Sequence, residues 1–160
     1  MRDFNKFVYL KPNDEEGYFG RSYVKEKLND EVGEIIDIKK VLEINPNHSM
    51  ANNNFGWYYF KKKNYPLAIN YLNKAILCDP NNSTAYDSRG EVKFYQNDFK
   101  GSITDMNKAI ELNPESSNSY FIRGRSKYKL GDKSGACIDF SKSGELGNSE
   151  AYKFIDIYCK

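Results

Sequence analysis

The residues that could perform chemistry are few, and they do not form a catalytic pattern. The only histidine, His48, ends the stretch Asn-Pro-Asn-His, and no nearby cysteine or serine is arranged as a nucleophile. Adjacent carboxylates such as Glu15 and Glu16 could exchange protons, but a solvated helix face explains them better. The phosphate-binding GxxxxGK[ST] and GxGxxG motifs and the zinc-binding HExxH motif are missing. We therefore expect no enzymatic activity, no catalytic residue, no metal site and no cofactor, with His48 a surface turn residue.

The three cysteines do not suggest a metal site. Cys78, Cys137 and Cys159 are odd in number and lack the spacing of metal ligands. Cys78 and Cys137 fall at positions usually held by small or apolar residues, where a free cysteine packs well. We expect them to be structural filler. The alternative is a redox pair between Cys137 and Cys159, which requires a C-terminal helix to fold back.

The composition points to a chain without strong electrostatic partners. A length of 160 residues with 39% apolar content is enough to bury a continuous, elongated core. The formal net charge of +2 gives no electrostatic case for nucleic acid or for a membrane surface. No apolar run approaches the length of a bilayer span, and the first residues lack the apolar stretch of a signal peptide. If the start is native, we expect a cytoplasmic protein that binds neither nucleic acid nor membrane.

The chain repeats itself with a period of 34 residues. All but one of its five prolines lie on this period, at Pro12, Pro46, Pro80 and Pro114. A small residue recurs with the same spacing at Gly56, Gly90 and Gly124. A period near 34 residues indicates a helix-turn-helix unit that is copied and stacked. The same period returns an Asp or Asn in the middle of each unit, namely Asp30, Asn64, Asp98 and Asp132.

Each recurring column has a structural interpretation. Apolar and small residues recur at intervals of three and four, which predicts two amphipathic helices in each unit. The glycine column marks close helix crossings, where a large side chain would push the backbones apart. The Asp or Asn column predicts an N-cap for the second helix, and Pro66 falls in the first turn that follows Asn64. Each proline of the period ends a second helix, because the residue before a proline avoids the α region.

These columns resemble the tetratricopeptide repeat family. The unit 83–116 departs from the family pattern, because Arg89 and Lys93 replace apolar signature residues. The resemblance implies an all-α, right-handed superhelical solenoid of antiparallel helix pairs with a C-terminal capping helix. It also implies an interaction scaffold. The unit 49–82 carries the most signature residues: Ala51, Phe55, Gly56, Tyr59, Tyr65, Ala68, Leu72, Ala75 and Pro80.

In this register the chain divides into six segments. Residues 15–48 form a degenerate repeat, and residues 49–82, 83–116 and 117–150 form three further repeats. Residues 151–160 are predicted to be a capping helix that covers the last repeat. Residues 1–14 are either a half-repeat that supplies only a second helix or an N-terminal tail.

The resemblance also implies a binding surface, because first helices of the family line a concave groove for a peptide or a partner helix. Aromatics make up 15% of the chain, so the alternative for some of these rings is packing between repeats. The Lys, Asn and Arg clamp with which some family members hold acidic chaperone tails is missing. The residues expected to line the groove are Phe19, Tyr23, Asn53, Trp57, Phe60, Asp87, Glu91, Phe94, Phe121, Arg125 and Tyr128.

The favoured function is a protein or peptide adaptor. Trp57 is the only tryptophan and the first candidate for an anchor, because aromatic residues dominate binding hot spots. The acidic pair Asp87 and Glu91 favours an apolar, basic partner segment. The alternative is a self-assembly module, in which the half-repeat docks onto the end of another copy and produces a homo-oligomer.

Overall fold

The structure is a computed structural model that describes residues 1–159, and these residues form ten α-helices and no strand. The predicted all-α helical-repeat fold is confirmed. The chain divides into two compact units, of which the first is Met1–Pro80 and the second begins at Asn81. The helices are α1 Arg2–Leu10, α2 Glu15–Lys27, α3 Glu31–Ile44, α4 Ser49–Lys61, α5 Tyr65–Cys78, α6 Ser83–Tyr95, α7 Phe99–Leu112, α8 Ser117–Lys129, α9 Lys133–Glu145 and α10 Ser149–Tyr158.

Helix ends follow the local signals in the sequence. Each lattice proline stands two residues beyond the end of a helix, as Pro80 does after α5 ends at Cys78. Pro66 lies in the first turn of α5, where a missing N–H leaves no hydrogen bond unmade. The predicted N-caps are confirmed, because the side chains of four recurring residues accept a hydrogen bond from the first turn of the helix that follows. These residues are Asp30, Asn64, Asp98 and Asp132.

A left-handed residue closes the turn after each of the first helices α2, α4, α6 and α8. Asparagine and glycine tolerate this conformation, whereas a lysine does so at some cost. Lys63 is the exception to the preferred residue types. The four residues and their φ angles are Asn29 at 57°, Lys63 at 58°, Asn97 at 64° and Gly131 at 88°.

Each unit has its own apolar core. In the first unit, Ile38, Val41 and Phe55 form the centre of the cluster that joins α3 to α4. In the second unit, Gly124 on α8 allows close approach to α9, because a Cβ atom there would stand 2.8 Å from Cε1 of Phe140. The buried residues of the second core are Phe94, Met106, Phe121, Ile122, Ala136, Phe140 and Ala151.

An aspartate on the second helix of three repeats is buried between an arginine and a lysine of the first helix. In α8 and α9, Arg123 donates from Nε and Nη2 to the Asp139 carboxylate over 2.9 Å and 2.7 Å. Lys127 adds an ion pair of 2.8 Å, and the Asp139 side chain is only 2% exposed. We call this arrangement the ion triad. Its other two copies are Arg21, Lys25 and Asp37, and Arg89, Lys93 and Asp105.

The repeat 49–82 has three aromatic residues in the columns of the ion triad. Phe55 and Tyr59 replace the two cations, and Tyr71 replaces the aspartate. The rings of Phe55 and Tyr71 meet edge to face with centroids 4.7 Å apart, and Tyr59 stacks on Tyr71 at 5.6 Å. The same space between two helices is therefore filled either by ions or by rings.

Burial and ion pairing act in opposite directions on the aspartate of the triad. Burial alone would raise the pKa of Asp37, but hydrogen bonds from Arg21 and Lys25 outweigh it and leave the pKa lowered. A lowered native pKa means that the carboxylate stabilises the fold above the ordinary pKa of aspartate. That contribution is lost as the pH falls through the lowered value.

The helix α10 closes the core of the second unit and is covalently attached to α9. Ala151 is fully buried, and Phe154 and Tyr158 pack against the core. Cys137 on α9 and Cys159 at the end of α10 form a disulfide with Cα atoms 5.7 Å apart. The filler interpretation is therefore wrong for this pair, and the alternative holds because the end of α10 lies against α9. Cys78 is a free cysteine.

We expect Asp139→Ala to lower the free energy of unfolding by about 2–3 kcal/mol. This is below the roughly 3–5 kcal/mol for a fully buried ion pair, because Arg123 and Lys127 retain 17% and 23% exposure. Urea unfolding measures the change. Glu145→Ala is the matched control, since its exposed 3.4 Å bridge to Lys142 should contribute little.

The triple variant Arg123→Phe, Lys127→Tyr and Asp139→Tyr should recover most of the stability lost in Asp139→Ala. It recreates the aromatic packing of the repeat 49–82 and leaves no unpaired charge. A triple variant less stable than the single one in the same urea experiment would show that the ions and the rings are not interchangeable.

Replacing Cys137 and Cys159 together by serine should loosen α10. A disulfide of this kind contributes roughly 2–4 kcal/mol, and here it constrains a segment with a sequence separation of 22. Hydrogen exchange should quicken in α10 and remain unchanged in α6. Cys78→Ser is the control, and equal exchange in all three proteins would contradict the expected role of the disulfide.

Candidate functional site

An aromatic pair on α4 offers the clearest contact surface of the first unit. The rings of Trp57 and Phe60 lie with centroids 4.8 Å apart, and both side chains are half-buried. Trp57 lies outside the core cluster of this unit. One turn earlier, Asn53 is 4% exposed, and its Oδ1 has no hydrogen-bond donor among residues 1–159. Trp57 therefore combines a large ring with incomplete burial, next to an unused hydrogen-bond acceptor.

The two predicted groove residues on α2 have different surroundings. Phe19 packs against the core of the first unit, and its ring lies 4.6 Å from that of His48. Tyr23 is 58% exposed, and Nζ of Lys27 lies 4.9 Å from its ring centroid. Phe19 thus serves packing, whereas Tyr23 remains open to solvent.

His48 has a structural role that the sequence analysis did not assign. Its Nδ1 accepts a hydrogen bond from the N–H of Ala51 over 3.2 Å, which caps the start of α4. Its side chain is only 13% exposed. The expectation of a surface turn residue is therefore wrong in its burial, because the ring is held between the cap and Phe19.

The acidic pair on α6 is brought together by two residues of α8. Nδ2 of Asn118 donates to Asp87 over 2.8 Å and, more weakly, to Glu91 over 3.4 Å. The hydroxyl of Ser119 also donates to Asp87. Both carboxylates are half-buried, and a small polar cavity of about 70 Å³ lies beside Asp87. Asp87 and Glu91 thus belong to a polar cluster that joins two first helices.

Burial dominates the titration of this cluster. It raises the pKa of both Asp87 and Glu91, although hydrogen bonds from Ser119 and Asn118 partly oppose the rise for Asp87. For Glu91 the opposing groups are Asn118 and, through space, Arg125, while the charge of Asp87 adds to the rise. The two carboxylates are therefore less acidic than free side chains.

The remaining predicted groove residues surround the end of α8. Phe94 and Phe121 are 7% and 4% exposed and belong to the core of the second unit, so they are packing residues rather than open groove positions. The Arg125 guanidinium lies over the Phe94 ring at 4.4 Å. Tyr128 packs on Tyr158 of α10 with ring centroids 4.3 Å apart. The aromatic character of this region therefore serves the core first.

Sequence reasoning missed the partners that hold the acidic pair. Asn118 and Ser119 occupy the first turn of α8, where polar residues are typical and carry little signal. Ser119 stands in a column that other units fill with alanine, at Ala51, Ala85 and Ala151. A buried hydroxyl in an alanine column is the one sign that a polar partner lies opposite.

The described residues contain no group of His, Cys, Asp and Glu side chains suited to hold a metal ion. In the same part of the chain, no helix has the length and apolar character needed to cross a bilayer.

Sequence comparison agrees with the repeat geometry. Tetratricopeptide repeat models match residues 49–82 and residues 83–116. The chain is a tetratricopeptide repeat protein. No sequence among curated proteins matches it.

Solved structures of other tetratricopeptide repeat proteins share the fold. MamA from Desulfovibrio magneticus RS-1 is 27% identical, with a TM-score of 0.75 over 92% of this chain and 84% of that chain. YrrB, a TPR protein with an unusual peptide-binding site, is 20% identical, with a TM-score of 0.77 over 93% and 78%. The first TPR of Spaghetti (RPAP3), bound to the HSP90 peptide SRMEEVD, is 26% identical, with a TM-score of 0.67 over 69% and 90%. Tetratricopeptide repeat domains similar to this one therefore include proteins that bind peptides.

The titration of the acidic pair gives a prediction for this tetratricopeptide repeat protein. Ser119→Ala should raise the pKa of Asp87 further and leave Glu91 nearly unchanged, because Ser119 donates only to Asp87. Asn118→Ala should raise both. Carbon-detected NMR of the carboxyl groups measures each pKa. A lower pKa of Asp87 in Ser119→Ala would contradict the assignment of the hydrogen bond.

The same shifts fix the sign of their effect on stability. Where the native pKa is raised, the folded chain binds more protons than the unfolded chain. The contribution of Asp87 and Glu91 to the free energy of unfolding should therefore fall as the pH rises from the ordinary carboxyl range through the raised values. Urea unfolding across this range should show a flatter pH dependence when both residues are replaced by their amides.

Proposed function

We propose that this protein is a non-enzymatic scaffold that captures an apolar segment of a partner protein on its first helices. The observation that carries the proposal is Trp57, a large half-buried ring on a first helix that lies outside the core of its unit. Aromatic residues of this kind supply much of the binding energy in protein interfaces. Peptide binding by proteins with a similar fold supports the same function.

The surroundings of Trp57 suit an extended peptide or a partner helix. Phe60 widens the aromatic surface, and the unused Oδ1 of Asn53 can accept a hydrogen bond from a peptide after a small rotation of its amide. The Asp87 carboxylate already accepts hydrogen bonds from Asn118 and Ser119. A basic partner is therefore not required to satisfy it, and apolar character is the property we assign to the segment.

Trp57→Ala should weaken capture of such a segment by roughly 30-fold or more, the loss expected of a hot-spot residue. Peptides selected from a displayed random library against the full chain would supply the ligands. Fluorescence of Trp57, the only tryptophan, reports their binding to the wild type, and calorimetry reports it for both proteins. Leu77→Ala is the matched control, because Leu77 is 81% exposed on the second helix α5.

The outcome depends on whether Trp57→Ala remains folded. Lost binding with unchanged helix content supports the proposal, whereas unfolding of the variant would show that Trp57 belongs to the core. Selected peptides that bind Trp57→Ala as tightly as the wild type would refute the role of this surface. A light-scattering mass that rises with concentration, without peptide selection, would favour the self-assembly alternative instead.

A further inference from the structure

Arg125 differs from the arginines of the ion triads. Arg21, Arg89 and Arg123 each donate two hydrogen bonds to an aspartate. The guanidinium of Arg125 instead lies over aromatic rings, and no hydrogen bond or ion pair to it occurs within residues 1–159. An arginine has five N–H donors in a planar fork. In Arg125 the fold leaves all of them available.

A cavity of about 180 Å³ opens beside this guanidinium. Phe94, Tyr128 and two residues of α10, Phe154 and Tyr158, form its aromatic wall. Lys129 lies at the same cavity and is exposed. The cavity thus has a cationic side and an aromatic side, and α10 supplies part of the aromatic side.

No carboxylate of the fold neutralises the cationic side. Glu91 is the acidic group influenced by Arg125, yet it acts only through space, and its hydrogen bond comes from Asn118. Arg125 sits among Phe94, Phe121 and Phe154, where a desolvated charge interacts strongly with an incoming anion. The charge of the cavity is therefore complementary to an acidic ligand.

We propose that the cavity beside Arg125 binds a carboxylate of the partner segment, while an adjacent apolar residue of that segment packs on the aromatic wall. The proposal rests on the proposed function and adds the chemistry of the partner. Arginine recognises carboxylates through two parallel hydrogen bonds, which a lysine cannot reproduce. The volume is below the roughly 300–1,000 Å³ of small-molecule pockets, so it suits one side chain or a chain end.

Short peptide probes test the proposal on the full chain. The acidic probe is N-acetyl-Phe-Glu-amide, and its neutral match is N-acetyl-Phe-Gln-amide. N-acetyl-Gly-Phe with a free carboxylate and its amide distinguish a chain end from a side chain as the source. Two-dimensional NMR titration follows the Arg125 side-chain Nε–H and the backbone amides of α8 and α10.

We expect at least one carboxylate probe to bind about tenfold or more tightly than its amide match, with shifts at Arg125. Arg125→Gln should abolish that preference. Arg125→Lys keeps the charge and should retain only part of it. Lys142→Gln, which removes an exposed charge from the second helix α9, should change nothing.

Equal binding of the acidic and neutral probes would overturn the proposal, as would a preference that survives in both Arg125 variants. If Arg125→Gln unfolds, the comparison of Arg125→Lys with the wild type still decides the result. Failure here is separable from failure of the proposed function. Library peptides whose binding needs Trp57 but shows no acidic preference would remove this inference and leave the scaffold function intact.

Discussion

The buried aspartate of the second helix fixes the position of the first helix in three of the repeats. Its carboxylate must receive both an arginine and a lysine, since a single unpaired charge in that space would be costly. The repeat 49–82 satisfies the same space with Phe55, Tyr59 and Tyr71. The constraint common to all repeats is therefore a filled and electrically balanced contact between paired helices. Each first helix is thereby held in place, and the functional side chains are carried on first helices.

The repeat register could be read from the sequence because its signals are local. Prolines, N-cap residues and glycines act within a few residues of their own position, so Pro80, Asn64 and Gly124 indicate helix ends and crossings directly. Arg89 and Lys93 appeared as departures from the family pattern because their meaning depends on Asp105, a residue of the next helix. The triad recurs at fixed spacing, so comparison of columns for charge as well as for size would have revealed it.

The candidate site was less predictable than the fold. Helix periodicity places Phe94 and Phe121 on first helices, but only the packing of α10 and the neighbouring helices decides that they are buried. The acidic pair was found without Asn118 and Ser119, because hydrogen-bond partners on another helix leave no local pattern. The cytoplasmic location stays a prediction, and the disulfide between Cys137 and Cys159 would be unusual in a reducing cytosol.

That disulfide also changes how the end of the array would carry a mechanical load. A pull applied at Cys159 passes through the sulfur bridge to Cys137, in the middle of α9, and bypasses the intervening segment. The helix α10 cannot be peeled away from its last turn while the bridge is intact. Tension is delivered instead to a helix whose Phe140 and Asp139 are buried. A partner tethered near this end would thus be resisted by the whole helix pair rather than by the terminal turn.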